Sequence, residues 1–280
     1  MERRLFNHLD REVPVVGQGT WNLEQGKRSV AITALRLGIK LGMTHIDTAE
    51  MYGSGAAEEI VGEAIAGQRE KVFLVSKVLP QNASRAGTVT ACEQSLARLQ
   101  TDRLDCYLLH WRGSIPLAET VAGMEQLRGA GKIVSWGVSN FDEDDLDETL
   151  QIAGEGRIAC NQVLYHLEER AIEHAVMPWC RQHGVSVVGY SPFGHGQFPG
   201  PSTPRGRLLQ EIAAAHHATP RQVALRFQIE QGAFTIPKAA NPDHAKENAG
   251  AGAFRLTVAE IARIDAAFPR GRKPRSLPML

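Results

Sequence analysis

Four side chains with proton chemistry each lie at or just after the end of a short apolar run. Asp47 closes THID, and Tyr52 comes five residues later. Lys77 closes VFLVSK, and His110 closes LDCYLLH. If each run is a strand, each strand end delivers one polar group, and the four converge on one rim. A tyrosine is a weak acid, with an unperturbed pKa near ~10. An ammonium beside it favours the phenolate and is expected to lower that value, toward the range useful for proton donation at neutral pH. A carboxylate beside Lys77 would hold the ammonium in place and charged. Singly, the residues read otherwise. Lys77 alone is a salt-bridge lysine or the Schiff-base lysine of a lyase, Asp47 a helix cap, Tyr52 a packed aromatic and His110 a core histidine. Their shared placement at strand ends favours a proton-donating set.

Positioning such a set requires parallel strands. Near-continuous apolar runs occur at 13–19, 44–47, 72–77, 104–110, 133–139, 160–165, 185–191 and 234–238, the pattern of strands covered on their outer face by helices. Amphipathic stretches fill the gaps at 27–41, 57–67, 85–99, 117–130, 143–152, 171–183, 206–230 in two pieces, 243–251 and 257–267. A repeat of about thirty residues is the size of a βα unit, and eight units point to a closed (β/α)8 TIM barrel, with its site at the C-terminal ends of the strands. Gly42, Gly131 and Gly184 sit between helix and strand, where a left-handed cap is useful. The run Asp142–Asp145 opens a helix and suits its dipole. Residues 4–13 read as a hairpin capping the barrel bottom. The Pro- and Arg-rich tail after 268 reads as surface-bound or mobile. No linker divides the chain, so residues 1–280 read as one barrel domain.

Composition narrows the function classes. The 280 residues are 43% hydrophobic and 22% charged, with 31 basic and 31 acidic side chains. A formal net charge of zero disfavours a nucleic-acid partner. No apolar run approaches the ~20 residues of a membrane span, and the charged start lacks a secretory signal. Cys92, Cys106, Cys160 and Cys180 are scattered without CxxC spacing, and are expected to be reduced and mostly buried in a cytoplasmic protein. No metal-ligand spacing is present. His216 and His217 are expected on a helix surface. No GxGxxG opens the first βα unit, so a Rossmann site is not indicated.

The chain resembles the aldo-keto reductases from about Leu5 to about Phe268. The resemblance is carried by GQGTW at 17–21, IDTAEMY at 46–52, VSK at 75–77, LLHW at 108–111, GVSNF at 137–141, NQVLYH at 161–166, YSPFG at 190–194 and IPKAA at 236–240. Within the family it is most like bacterial members that reduce small aldehydes such as methylglyoxal. The resemblance implies NADPH-dependent carbonyl reduction, with NADH possible. Tyr52 would be the general acid, Lys77 would tune it, Asp47 would hold Lys77, and His110 would bond the substrate oxygen. Ser139, Asn140 and Gln162 would hold the cofactor carboxamide and Tyr190 would stack on its ring. Gly19, Thr20 and Trp21 would border the nicotinamide, Ser191 and Phe193 the pyrophosphate, and Ile236 and Lys238 the far end. Ser139 and Asn140 also read as a helix cap, and Tyr190 as core. Trp21 and Trp111 would wall the substrate pocket. The segments after His110 and Phe193, like the tail, are short for the family, which favours small substrates. A monomer is favoured. The resemblance also leaves room for a non-catalytic partner protein like the potassium-channel β subunits, although no long N-terminal extension precedes the barrel.

In IPKAANPDHAKEN at 236–248, Asn241 and Pro242 read as N-cap and first helical residue. His244, Glu247 and Asn248 then share a face. A helix start flanked by Lys238 is a ready anion site, suited to the ribose phosphate of NADPH, with Glu247 and Asn248 toward the adenine. The family commonly has Ser or Thr at 239 and Arg at 244. Ala239 and His244 here put strict NADPH selectivity in question.

Overall fold

The computed structural model describes residues 1–6, 9 and 11–280. A short antiparallel hairpin, β1 (Arg3–Leu5) and β2 (Glu12–Pro14), comes first. The expected hairpin at 4–13 is therefore present in its arms; residues 7, 8 and 10 of that expectation lie outside the described residues. Phe6 is buried, its ring 4.8 Å from Phe73 and 5.1 Å from Phe234. Those two residues begin barrel strands, so Phe6 plugs the N-terminal end of the barrel.

Eight parallel strands come next: β3 (Gln18–Gly19), β4 (His45–Asp47), β5 (Phe73–Val78), β6 (Leu104–Leu109), β7 (Ile133–Ser139), β8 (Ile158–Leu164), β9 (Ser186–Tyr190) and β10 (Phe234–Thr235), hydrogen-bonded in chain order. Parallel bridges Val16↔Thr235 and Gly19↔Lys238 close the ring. The approach at this seam is tight: a Cβ on Gly19 would lie 2.6 Å from the Ile236 carbonyl oxygen. The apolar run at 13–19 is not one strand as expected. Val13 and Pro14 pair in the hairpin, Val16 makes a single bridge to Thr235, and the barrel strand itself is Gln18–Gly19. Pro14 has no N–H to give to an interior ladder.

Helices α1 (Arg28–Lys40), α2 (Ala56–Ile65), α3 (Arg85–Leu99), α4 (Leu117–Gly129), α5 (Glu143–Ala153), α6 (Val176–Gln182), α7 (Pro204–Ala215), α8 (Pro220–Glu230), α9 (Pro242–Gly250) and α10 (Val258–Ala267) wrap the strands. The stretch expected as a helix at 171–183 opens with a separate 3-10 turn, Ala171–Glu173, before α6. Asp142 caps α5 by accepting from the Asp145 N–H at 3.0 Å, so Ser139 and Asn140 are not the cap. His216 is not a free surface residue. It ends α7, its Nε2 lies 2.9 Å from Glu260, and its ring stacks on Phe254; His217 is exposed. All four cysteines are buried and unpaired. Lys273 in the tail bonds Glu143. Among the described residues, no helix is long and apolar enough to cross a membrane.

The two faces of the strands build two cores. Leu74, Tyr107, Leu109 and Val163 face the helices. Phe73, Val75, Cys106, Leu108, Cys160 and Val188 fill the barrel. Side chains alternate with period two. The same parity that sends Phe73 and Val75 inward therefore sends Lys77 inward one step higher. It does the same for His110 after Cys106 and Leu108, for Gln162 after Cys160, and for Tyr190 after Val188. Position in the strand and parity together gather the polar groups at one end of an apolar barrel.

Candidate active site

Lys77 is the hub. Its Nζ donates to Asp47 Oδ2 at 2.7 Å, the Thr48 carbonyl at 2.8 Å and the Tyr52 hydroxyl at 3.1 Å. The side chain is fully buried. Tyr52 begins a 3-10 turn, Tyr52–Gly55, in which Gly53 (φ 56°) and Ser54 (φ 53°) are left-handed. A side chain on Gly53 would start 2.5 Å from Glu24 Cγ, so glycine lets the chain fold back into α2 while the phenol stays over Lys77. The His110 ring meets Tyr52 edge-on at 5.7 Å, which completes the expected tetrad.

The electrostatics correct one expectation. Burial raises the Tyr52 phenol, and Asp47 adds to that; the opposing pull of Lys77 is the smaller effect, so the pKa lies above 10.0 rather than below it. A nearby ammonium favours the phenolate, but enclosing a phenolate away from water costs more than that attraction returns. Tyr52 accordingly keeps its proton at neutral pH. Burial alone would lower Lys77, but Asp47 and Tyr52 outweigh it and hold the ammonium above 10.5. His110 is pushed down to about 2, by burial first and by Lys77 second, and is a neutral imidazole. The three protons of Lys77 go to three oxygens. A charged amine so engaged has no lone pair for a carbonyl carbon, which opposes the Schiff-base alternative.

A second network joins Asp47 to the far strands. Gln162 Nε2 donates to Asp47 Oδ1 at 2.7 Å, and Ser139 Oγ donates to the Gln162 carbonyl at 2.8 Å. Asn140 Nδ2 donates to the His110 carbonyl at 3.1 Å, and Asn140 Oδ1 accepts from the Tyr190 hydroxyl at 2.9 Å. Asn140 (φ 61°) and Ser191 (φ 50°) are left-handed, a conformation Asn tolerates better than most residues. Burial lifts the Tyr190 phenol to about 12.

These groups open into a cavity of about 630 Å³, within the range of small-molecule sites. Asp47, Tyr52 and His110 line it, as do Gly19, Thr20, Trp21, Trp111, Ser139, Asn140, Gln162, Tyr190, Ser191, Phe193, Ile236 and Lys238. Trp21 and Trp111 are half-exposed wall residues rather than core. Lys77 sits behind the wall. His244, Glu247 and Asn248 are not brought to the cavity. Asn241 caps α9 by accepting from the His244 N–H at 2.9 Å, the Glu247 carboxylate accepts from Thr219 at 2.8 Å, and Asn248 is buried. Met51, His195, Phe198 and Arg221 also line the cavity and were not legible in the sequence. His195 stacks on Trp21 at 5.3 Å. Met51 falls within IDTAEMY at 46–52, where no site role was read for it, and His195, Phe198 and Arg221 lie outside the quoted stretches.

The aldo/keto reductase family model matches residues 15–268. The chain belongs to the aldo/keto reductase family. It is 47% identical to the methylglyoxal reductase YeaE of Escherichia coli over 274 residues, 97% of this chain and 96% of that one. It is 35% identical to the glyoxal reductase of Bacillus subtilis over 262 residues, 92% and 90% of the two chains. An aldo/keto reductase from Klebsiella pneumoniae solved with NADP and acetate superposes with a TM-score of 0.93 at 43% identity, and one solved with NADPH with 0.92 at 44%; both alignments cover all of each chain.

This aldo/keto reductase has a rim that fits a nicotinamide dinucleotide. Tyr190 borders it, the Gln162 side chain there is fixed through its amide nitrogen by Asp47, and two cations, Lys238 and Arg221, also line it.

Proposed function

We propose that the chain, as one barrel domain, reduces small aldehydes to alcohols with NADPH, with methylglyoxal-like dicarbonyls as the preferred class. The reading rests chiefly on one observation: the Tyr52 hydroxyl, at the cavity wall, takes a hydrogen bond from a buried ammonium that Asp47 holds charged. The similarity to methylglyoxal and glyoxal reductases supports the substrate class. When bound, the reduced nicotinamide supplies a hydride to a carbonyl carbon, and negative charge grows on the carbonyl oxygen. Tyr52 gives that oxygen its proton, and the Lys77 ammonium stabilises the phenolate left behind. His110, neutral, bonds the same oxygen and orients it. Donors that stabilise charge appearing only in the transition state lower the barrier. Ser139, Asn140 and Gln162 hold the carboxamide, Tyr190 the ring face, and Lys238 a phosphate. Trp21, Trp111 and Met51 line the same cavity and would wall the substrate. The four unpaired buried thiols suit a reducing, cytoplasmic setting.

The test is a panel of methylglyoxal, glyoxal, simple aldehydes, sugars and a steroid ketone, followed by NADPH absorbance with NADH in parallel. Small dicarbonyls should give the highest kcat/KM. A steroid ketone exceeding every small aldehyde would sink the substrate assignment, and no cofactor oxidation with any carbonyl would sink the reaction.

A further inference from the structure

Among the described residues, three side chains lining the cavity carry a formal charge: Asp47, Arg221 and Lys238. The Asp47 charge is matched from behind by Lys77 at 2.7 Å. The other two are cations with no acidic partner among the described residues. Several other arginines of the molecule do find carboxylates: Arg28 pairs with Glu63 at 2.6 Å and Arg205 with Glu168 at 2.7 Å. Arg221 is held by aromatic rings instead. Its guanidinium carbon lies 4.7 Å from the centre of Phe193 and 5.3 Å from that of Phe198, and the two rings stand at 84° to one another.

Two rings fix the plane of a guanidinium without using its N–H donors. The edge left over is a fork of donors, the geometry that matches a phosphate with two parallel bonds. Phe193 and Phe198 are themselves wall residues, so the fork is anchored to the same segment that borders the cavity. Two cations without a carboxylate partner also attract a polyanionic ligand over a neutral one.

We propose that Arg221 is a phosphate-binding residue of this site, acting with Lys238, and that it supplies the bidentate cation that position 244 lacks. The inference rests on the reading that the cavity takes a pyridine dinucleotide. Two phosphates of that ligand have the same chemistry, the diphosphate bridge and the ribose 2′-phosphate. Comparison of NADPH, NADH and 2′,5′-ADP separates them.

The experiment is equilibrium titration by protein fluorescence quenching, for wild type, Arg221→Met and Arg221→Lys, at low and high salt, with melting temperature as the fold control. Methionine keeps an aliphatic chain against the two rings and removes the charge. Arg221→Met should bind NADPH about tenfold more weakly or worse, the range of a lost charge-assisted bond, with a shallower salt dependence. Arg221→Lys should fall between the two. If the 2′-phosphate is the partner, 2′,5′-ADP weakens and NADH does not; if the diphosphate is, NADPH and NADH weaken together. NADPH and NADH binding in Arg221→Met equal to wild type would overturn the inference alone. So would a loss that Arg221→Lys does not recover and that tracks a fall in melting temperature, since Arg221 would then only brace Phe193 and Phe198. Failure of wild type to bind any dinucleotide would overturn the functional reading and this inference with it.

Discussion

Replacing Tyr52 by Phe removes one oxygen and leaves the ring. Lys77 loses its bond at 3.1 Å to the hydroxyl but keeps Asp47 at 2.7 Å and the Thr48 carbonyl at 2.8 Å, so the ammonium stays charged and in place. The aromatic contacts of residue 52 with His110 and with Lys77, at 5.7 Å and 4.8 Å, persist. Bonds to charged groups contribute about 1.5–3 kcal/mol, so the variant should melt a few degrees lower and remain folded. Catalysis should suffer far more. A positioned proton donor contributes about 10²–10⁴-fold, and kcat should fall by at least ~10², with NADPH affinity little changed because the network of Gln162, Ser139 and Asn140 proposed to face the cofactor does not bond the hydroxyl. The pH profile carries a second signature. Burial holds the Tyr52 pKa above 10.0; the acid form is therefore present through neutral pH, and reduction should decline only as pH rises through that raised value. Stopped-flow NADPH oxidation with methylglyoxal from pH 6 to 10.5 measures both. Near-wild-type kcat in Tyr52→Phe, or a wild-type decline centred below pH 9 that the variant retains, would refute Tyr52 as the acid.

Three further outcomes are expected. Lys77→Met leaves Asp47 as a buried carboxylate without its counter-ion, which costs about 3–5 kcal/mol; denaturant unfolding should show that loss together with collapsed activity, and unchanged stability would mean Asp47 is satisfied by Gln162 alone. His45 and His110 are depressed to about 3 and about 2. Below an unfolded value near ~6.5 the unfolded chain binds protons that the native state refuses, so stability should fall as pH drops from about 6.5. His45→Phe should flatten that slope in melting curves, and an identical slope in the variant would show that His45 does not carry it. His244→Arg places a permanent, two-pronged charge at the start of α9. NADPH should tighten by ~1 kcal/mol at pH 8 relative to NADH, and parallel titrations of the two cofactors, unaltered by the substitution, would show that position 244 does not face the phosphate.

The tetrad was legible because its information is local. Strand ends, period-two parity and the VSK and LLH endings place Lys77 and His110 on the inner face of β5 and β6 without knowledge of any other segment. The same holds for the capping of α9 by Asn241, which depends on a neighbour three residues away. The sign of the Tyr52 shift was not legible, because it sums burial against the fields of Lys77 and Asp47. Burial is a property of the closed barrel, and the sequence shows only that an ammonium is near. Nor was Arg221. It reaches the cavity because α8 begins beside Phe193 and Phe198, a contact between separate segments that no periodicity encodes. His216 moved from surface to partner for the same reason, meeting Glu260 on a helix 44 residues away. Backbone pattern and side-chain parity are written along the chain, whereas desolvation, net field and the company a side chain keeps are set by packing between segments distant in sequence.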